Sequence, residues 1–128
     1  MSSSKSITEK LLIKDNYRVL LVNEIAGYRA KLGDLPKNVS LAGKASGQVD
    51  LIQIFLSSRK ELESQLPSIK PLLKPQGLLW VTYPKEASKM KADINRDIIR
   101  EFAETIGLKT VAQISIDETW SALRLKIA

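Results

Sequence analysis

The apolar residues of this chain come mostly in short unbroken runs bounded by turn formers, the pattern of strands buried on both faces of a parallel sheet. "RVLLVN", Arg18 to Asn23, is the first such run, and "QVDLIQIFL", Gln48 to Leu56, is the second clear one. Between them "EIAGYRAKLGDLPKN" has room for a short helical piece over Tyr28 to Leu32, stopped by Gly33 and Pro36, and "VSLAG" reads as a weak strand. Ahead of the first run, "ITEKLLI" predicts about two helical turns, ended by "KDN". Ser58 with Glu61 three residues later predicts a capping box and a helix, "RKELESQL", that Pro67 breaks before "SIKPLLK" makes a shorter turn. Lys74 to Gly77 reads as a turn and Leu78 to Tyr83 as a third buried strand.

Ile94, Ile98, Ile99, Phe102, Ala103 and Ile106 then share one face of a 3.6-residue helix, with Asp93 placed to cap it and Gly107 to end it. On this pattern Phe102 is core, and so is Trp80. The last two runs, "KTVAQISI" and "WSALRLKI", are joined by Asp117 to Thr119, a link short enough to force an antiparallel hairpin. Strands separated by helices and closed by a hairpin predict a three-layer, Rossmann-like α/β fold with a mostly parallel sheet. In that sheet the first strand lies beside the one ending at Leu56. The expected organisation is a tail and short helix over residues 1–16, then a single α/β domain over 17–128.

Composition mostly removes options. With no cysteine there is no disulfide, thiolate nucleophile or cysteine-held metal, and with no histidine there is no imidazole base or catalytic triad. Catalysis would rest on Lys, Tyr, Asp, Glu, Ser or a cofactor. No apolar run approaches the ~20 residues of a membrane span, and "MSSSKSITEK" lacks a signal-like apolar segment, so the expectation is a frayed start on a cytoplasmic protein. The net charge of +6 favours an anionic partner. The lysines are scattered and aromatics make up only 5%, so most of the lysines read as solvated surface and the partner stays undefined, with a small anionic ligand as one reading and weak nucleic-acid binding as an alternative.

The stretch "DLIQIFLSSRKELESQLPSIKPLLKPQGLLWVTYP" resembles the second half of a class I, S-adenosylmethionine-dependent methyltransferase domain, with "LKPQG" in place of an "LKPGG" turn. "GLLWVTYPK", "SK" and "DETWSALRLK" look like an uncharacterised bacterial domain-of-unknown-function family with such motifs. The resemblance implies a truncated methyltransferase-like fold. It also implies a cofactor loop after the first strand, in which an acid is followed by glycines at alternate positions. Counting from Glu24 gives Ala26, Tyr28 and Ala30; counting from Asn23 gives Ile25, Gly27 and Arg29. The acid expected after the second strand is missing from "VSLAGKASG", and Val39 to Gln48 is too short for the usual extra elements. S-adenosylmethionine is therefore disfavoured and no other cofactor is expected.

In an open parallel sheet, ligands bind beyond the carboxyl ends of the strands. That rim gathers the candidate ligand-binding residues Asn23, Glu24, Gly27, Tyr83, Lys85, Ser88, Lys89 and Trp120. Lys85, Ser88 and Lys89 would take an anionic group with help from backbone N–H groups near Asp93. The competing reading has Pro84 stopping the strand, Ser88 and Asp93 satisfying turn and cap donors, and the lysines solvated. No Tyr and Lys stand four apart as a short-chain dehydrogenase needs, since Ala87 occupies that place after Tyr83. Asp117 and Glu118 suit a hairpin turn. Arg124, which shares a strand face with Trp120, Ala122 and Lys126, is expected half-covered and paired with a carboxylate. The leading function is a non-enzymatic ligand-binding or interaction module; the alternative is an enzyme, either a methyltransferase or a lysine-dependent activity.

Overall fold

A computed structural model describes residues 5–44, 47–86 and 92–128. In chain order the elements are α1 (Ile7–Lys10), β1 (Arg18–Val22), α2 (Tyr28–Lys31), β2 (Ser40–Ala42), β3 (Val49–Phe55), α3 (Arg59–Ile69), β4 (Leu73–Pro84), α4 (Arg96–Thr105), β5 (Leu108–Ser115) and β6 (Trp120–Ile127). The strands form one sheet in the order β2-β1-β3-β4-β6-β5. β1 is parallel to β2 and β3, and β3 is parallel to β4. β6 runs antiparallel between β4 and β5. The sheet is therefore mixed α/β with the first strand beside β3 and the hairpin closing one side, as the run pattern predicts.

Alternation along each strand divides the apolar residues between two layers. Ile52 and Ile54 of β3, Leu79 and Val81 of β4, and Leu123 and Leu125 of β6 pack under Leu62, Leu66 and Ile69 of α3 and Ile99 and Ala103 of α4. On the other face Val19, Leu21, Leu51, Phe55, Trp80 and Ala122 meet Leu11, Ile13, Tyr28 and Leu32. There α1 and α2 are single turns, and the chain around them does most of the covering. Trp80 is 1% exposed and its indole N–H donates to the Leu11 carbonyl at 3.0 Å, which ties the N-terminal segment to the sheet. Three buried polar groups on this face satisfy one another: Tyr28 Oη donates to Gln53 Oε1 at 2.8 Å, and Gln53 Nε2 donates to Thr82 Oγ1 at 2.9 Å. Burial pushes the Tyr28 hydroxyl far above the ordinary phenol range.

Several local expectations are corrected. Helix α1 has one turn, not two; it carries its own capping box, in which Ser6 Oγ accepts from the Glu9 N–H and the Glu9 carboxylate from the Ser6 N–H. Pro67 does not end α3, which runs to Ile69 and passes into a 3₁₀ turn at Lys70–Leu72. Proline removes one hydrogen bond in the last turn, but Leu66 and Ile69 on either side are buried in the core, and that packing carries the helix past it.

Lys74 to Gly77 is no turn between elements but a bulge inside β4: Val49 pairs with Leu73 and Leu51 with Leu78. The cap of α4 is Asn95, not Asp93; Asn95 Oδ1 accepts from the Ile98 N–H at 2.9 Å, while Asp93 accepts from the Arg59 N–H at the start of α3. Gly107, at φ 79°, follows the helix as expected. Phe102 is half-buried against the α4 side of the core rather than enclosed in it. Arg124 pairs with no carboxylate among the described residues; its guanidinium lies 5.9 Å from the centre of the Trp80 ring.

Candidate functional site

The strand-end rim is built in two places, and the predicted residues divide between them. At the end of β1, Asn23 adopts φ 59°, a left-handed turn that asparagine tolerates better than most side chains. This aims its amide across the strand ends: Nδ2 donates to the Phe55 carbonyl at 3.2 Å and to Gln65 Oε1 at 2.6 Å, joining β1, β3 and α3. Glu24 is held by the Arg29 side chain, whose Nε reaches both carboxylate oxygens at 3.0 and 3.2 Å and whose Nη2 reaches one at 2.8 Å. Gly27 stands at the start of α2 with φ 74°, where only glycine is at ease, and a Cβ there would meet nothing within 4 Å. Strand β2 ends at Ala42, and Gly43 and Lys44 follow it in place of a carboxylate.

The second place lies beyond the end of β4 and the start of β6. Tyr83 is 5% exposed, and its hydroxyl accepts from Gln113 Nε2 at 2.9 Å. Burial raises its pKa, against the pull of the Arg96 charge and the Gln113 bond. Lys85 donates its backbone N–H to the Thr119 carbonyl at 2.8 Å and its ammonium to Ser115 Oγ at 2.6 Å. A cavity of about 250 Å³ opens here, floored by Tyr83, Gln113 and Ser121 and walled by Lys85, Asn95 and Arg96. Two carboxylates, Glu86 and Asp97, share it, and Asp97 also pairs with Arg100 at 3.2 Å. The site therefore offers two cations, two acids and the N-terminus of a ten-residue helix.

Of the eight candidate residues, Tyr83 and Lys85 meet in this cavity. Asn23, Glu24 and Gly27 stay together at the β1 loop. Trp120 is 6% exposed with its ring edge-to-face with Phe55 at 5.5 Å, so it fills the core and presents no face at the rim. Ser88 and Lys89 lie outside the described residues. Asp117 forms the hairpin turn: Oδ1 accepts from the Thr119 and Trp120 N–H groups, both at 2.8 Å. Sequence reasoning missed Asn95, Arg96, Gln113 and Ser121. The cap position of Asn95 could have been read as an alternative to Asp93, but Gln113 and Ser121 reach the site only through the β4-β6-β5 pairing. Among the described residues no group of three or more acidic side chains is arranged to hold a metal ion.

With this geometry in view, the class of fold is plain: a Rossmann-like sheet of the class I methyltransferase type. The chain is similar to a SAM-dependent methyltransferase from Aquifex aeolicus, with TM-score 0.62 and 16% identity over 94% of this chain and 89% of that one. It is also similar to the DhpI–SAH complex, with TM-score 0.65 and 10% identity over 95% and 82%. A TehB-like SAM-dependent methyltransferase from Corynebacterium glutamicum gives TM-score 0.59 and 14% identity over 94% and 85%. At these identities the likeness shows the fold. No curated protein matches the sequence. The chain belongs to the family described as "Protein of unknown function (DUF3052)", which matches residues 26–128.

Proposed function

We propose that this domain is a non-catalytic binding module that uses the methyltransferase-type sheet to hold a small anionic ligand at the β4–α4 rim. The observation that carries this reading is the cavity at Tyr83, where Lys85, Arg96 and the N-terminus of α4 border one opening. A phosphate or carboxylate there gains charge-assisted hydrogen bonds, which offset its loss of hydration. Tyr83 accepts from Gln113, so its own O–H is available to donate to the ligand. Glu86 and Asp97 at the same opening favour a ligand that carries a donor or cation beside its anionic group.

S-adenosylmethionine, which the fold class suggests, does not suit the first-strand loop. The Glu24 carboxylate is taken up by Arg29, the Asn23 amide is spent on Phe55 and Gln65, and no acid follows β2. A methyltransferase is the second reading. It is favoured by one local feature, the open space and left-handed turn at Gly27, where backbone could approach a ligand. The cavity is tested with inorganic phosphate, titrated at low and high salt into the wild type and a Lys85→Ala/Arg96→Ala variant. The expected result is saturable binding at low salt that weakens with salt and falls at least tenfold in the variant. Equal binding by the two proteins would refute the site.

A further inference from the structure

At the opposite end of the sheet, a second cavity of about 460 Å³ lies between the start of β4 and the end of β6. Two irregularities shape it. Lys74 to Gly77 bulges from β4 on one side, and on the other Thr110 pairs with Leu125 and Ala112 with Arg124, so Val111 is an extra residue pushed out of β5 and left 40% exposed. Apolar wall is supplied by Leu78, Val111 and Ile127.

The charges here are unbalanced. Arg124 and Lys126 line the cavity and no acid does, while Lys109 stands directly across the ladder from Lys126. Like charges in that position repel. Among the described residues none of the ion pairs involves Lys109, Arg124 or Lys126. Among the described residues Arg124 Nε, sealed from water, has no acceptor, and the guanidinium lies 5.9 Å from the centre of the Trp80 ring. An orphaned buried N–H and an uncompensated lysine pair both weaken a fold, and they meet around one cavity. A single anion in that cavity would answer both, if the guanidinium turned toward it.

We propose that this cavity binds a small carboxylate carried on an apolar body. The carboxylate is held by Arg124 and Lys126, and the body lies on Leu78, Val111 and Ile127. A planar guanidinium suits a carboxylate's two oxygens, and the apolar wall selects against bare inorganic anions. This site is separate from the β4–α4 rim and stands or falls without it.

The test titrates sodium octanoate into the full chain at low salt, followed by calorimetry and tryptophan emission, with inorganic phosphate, octanol and hexaglutamate as comparisons. Octanoate should bind saturably, change the emission of the tryptophan beneath Arg124, and outcompete the other three. Arg124→Met should weaken it at least tenfold while unfolding no earlier than the wild type, because the orphaned N–H is gone. Should that variant fail to fold, Val111→Asp, at an exposed position on the cavity wall, should weaken octanoate at least tenfold through charge repulsion. Absence of octanoate binding at low salt, unchanged binding in either folded variant, or binding of phosphate, octanol or hexaglutamate as tight as octanoate overturns the proposal.

Discussion

Replacing Gly77 by alanine adds one methyl group at the most crowded glycine among the described residues. A Cβ built there lies 2.6 Å from Leu73 Cδ1, 3.0 Å from Leu73 Cγ and 3.0 Å from the Asp50 carbonyl oxygen. Leu73 is 1% exposed and packed in the core, so its side chain cannot swing into solvent to make room. The Asp50 oxygen belongs to β3, in register with the bulge, and moving it disturbs the ladder. Overpacking of this kind costs about 1–3 kcal/mol. Against it stands the loss of chain entropy in the unfolded state, which favours alanine by about 0.4–1 kcal/mol. The 2.6 Å contact places the overpacking cost in the upper part of its range, about 2–3 kcal/mol, so the net expectation is a destabilisation of about 1–2.6 kcal/mol, read from the urea midpoint at unchanged slope. Leu73→Ala alone should cost about 2–5 kcal/mol, and the double variant should cost less than the sum by at least about 0.5 kcal/mol, because the smaller side chain relieves the clash. A neutral or stabilising Gly77→Ala would refute the packed bulge, and with it the shape of the second cavity.

Phe102→Ala should cost about 1.5–2.5 kcal/mol in urea unfolding, below the ~3–5 of an enclosed phenylalanine, because its ring is only half-buried; a loss above about 3 kcal/mol would contradict that burial. Glu61 has its pKa held below the usual carboxylate value of 4.5, first by the Ser57 backbone N–H at 3.0 Å and then by the Ser57 and Ser58 hydroxyls, despite partial desolvation. A lowered folded-state pKa gives stability that is present above about pH 4.5 and lost as pH falls through the folded value. Glu61→Gln should therefore flatten the acid limb of a thermal-melt series below pH 4.5, and parallel curves would show that the carboxylate adds nothing.

The sheet was legible because its strands are unbroken apolar runs: β1, β3, β5 and β6 each lie within a residue or two of where those runs stand in the sequence. Helix ends were less legible, since both Asp93 and Asn95 are good caps and the choice depends on the Arg59 N–H, which Asp93 satisfies from another element. Pro67 misled for a related reason, because propensity argues for a stop where core packing at Leu66 and Ile69 argues for continuation. The rim was half legible. Strand ends alone bring Tyr83 and Lys85 there, but Gln113 arrives from β5 and Trp120 turns inward to Phe55, and both depend on pairings distant in sequence. For Arg124 the strand face follows from alternation, but its partner does not. No local pattern says whether a carboxylate on another element will reach a given arginine.

The most direct test of the central claim, that this methyltransferase-type sheet serves as a binding module without the methyl donor, is a calorimetric titration of S-adenosylmethionine into the full chain. Inorganic phosphate at low salt serves as the parallel arm. The first-strand loop, with Glu24 held by Arg29 and Asn23 by Phe55 and Gln65, leads to the expectation of no saturable heat at micromolar S-adenosylmethionine and a saturable, salt-sensitive heat with phosphate. Saturable micromolar binding of S-adenosylmethionine would contradict the account and return the domain to the methyltransferases it resembles.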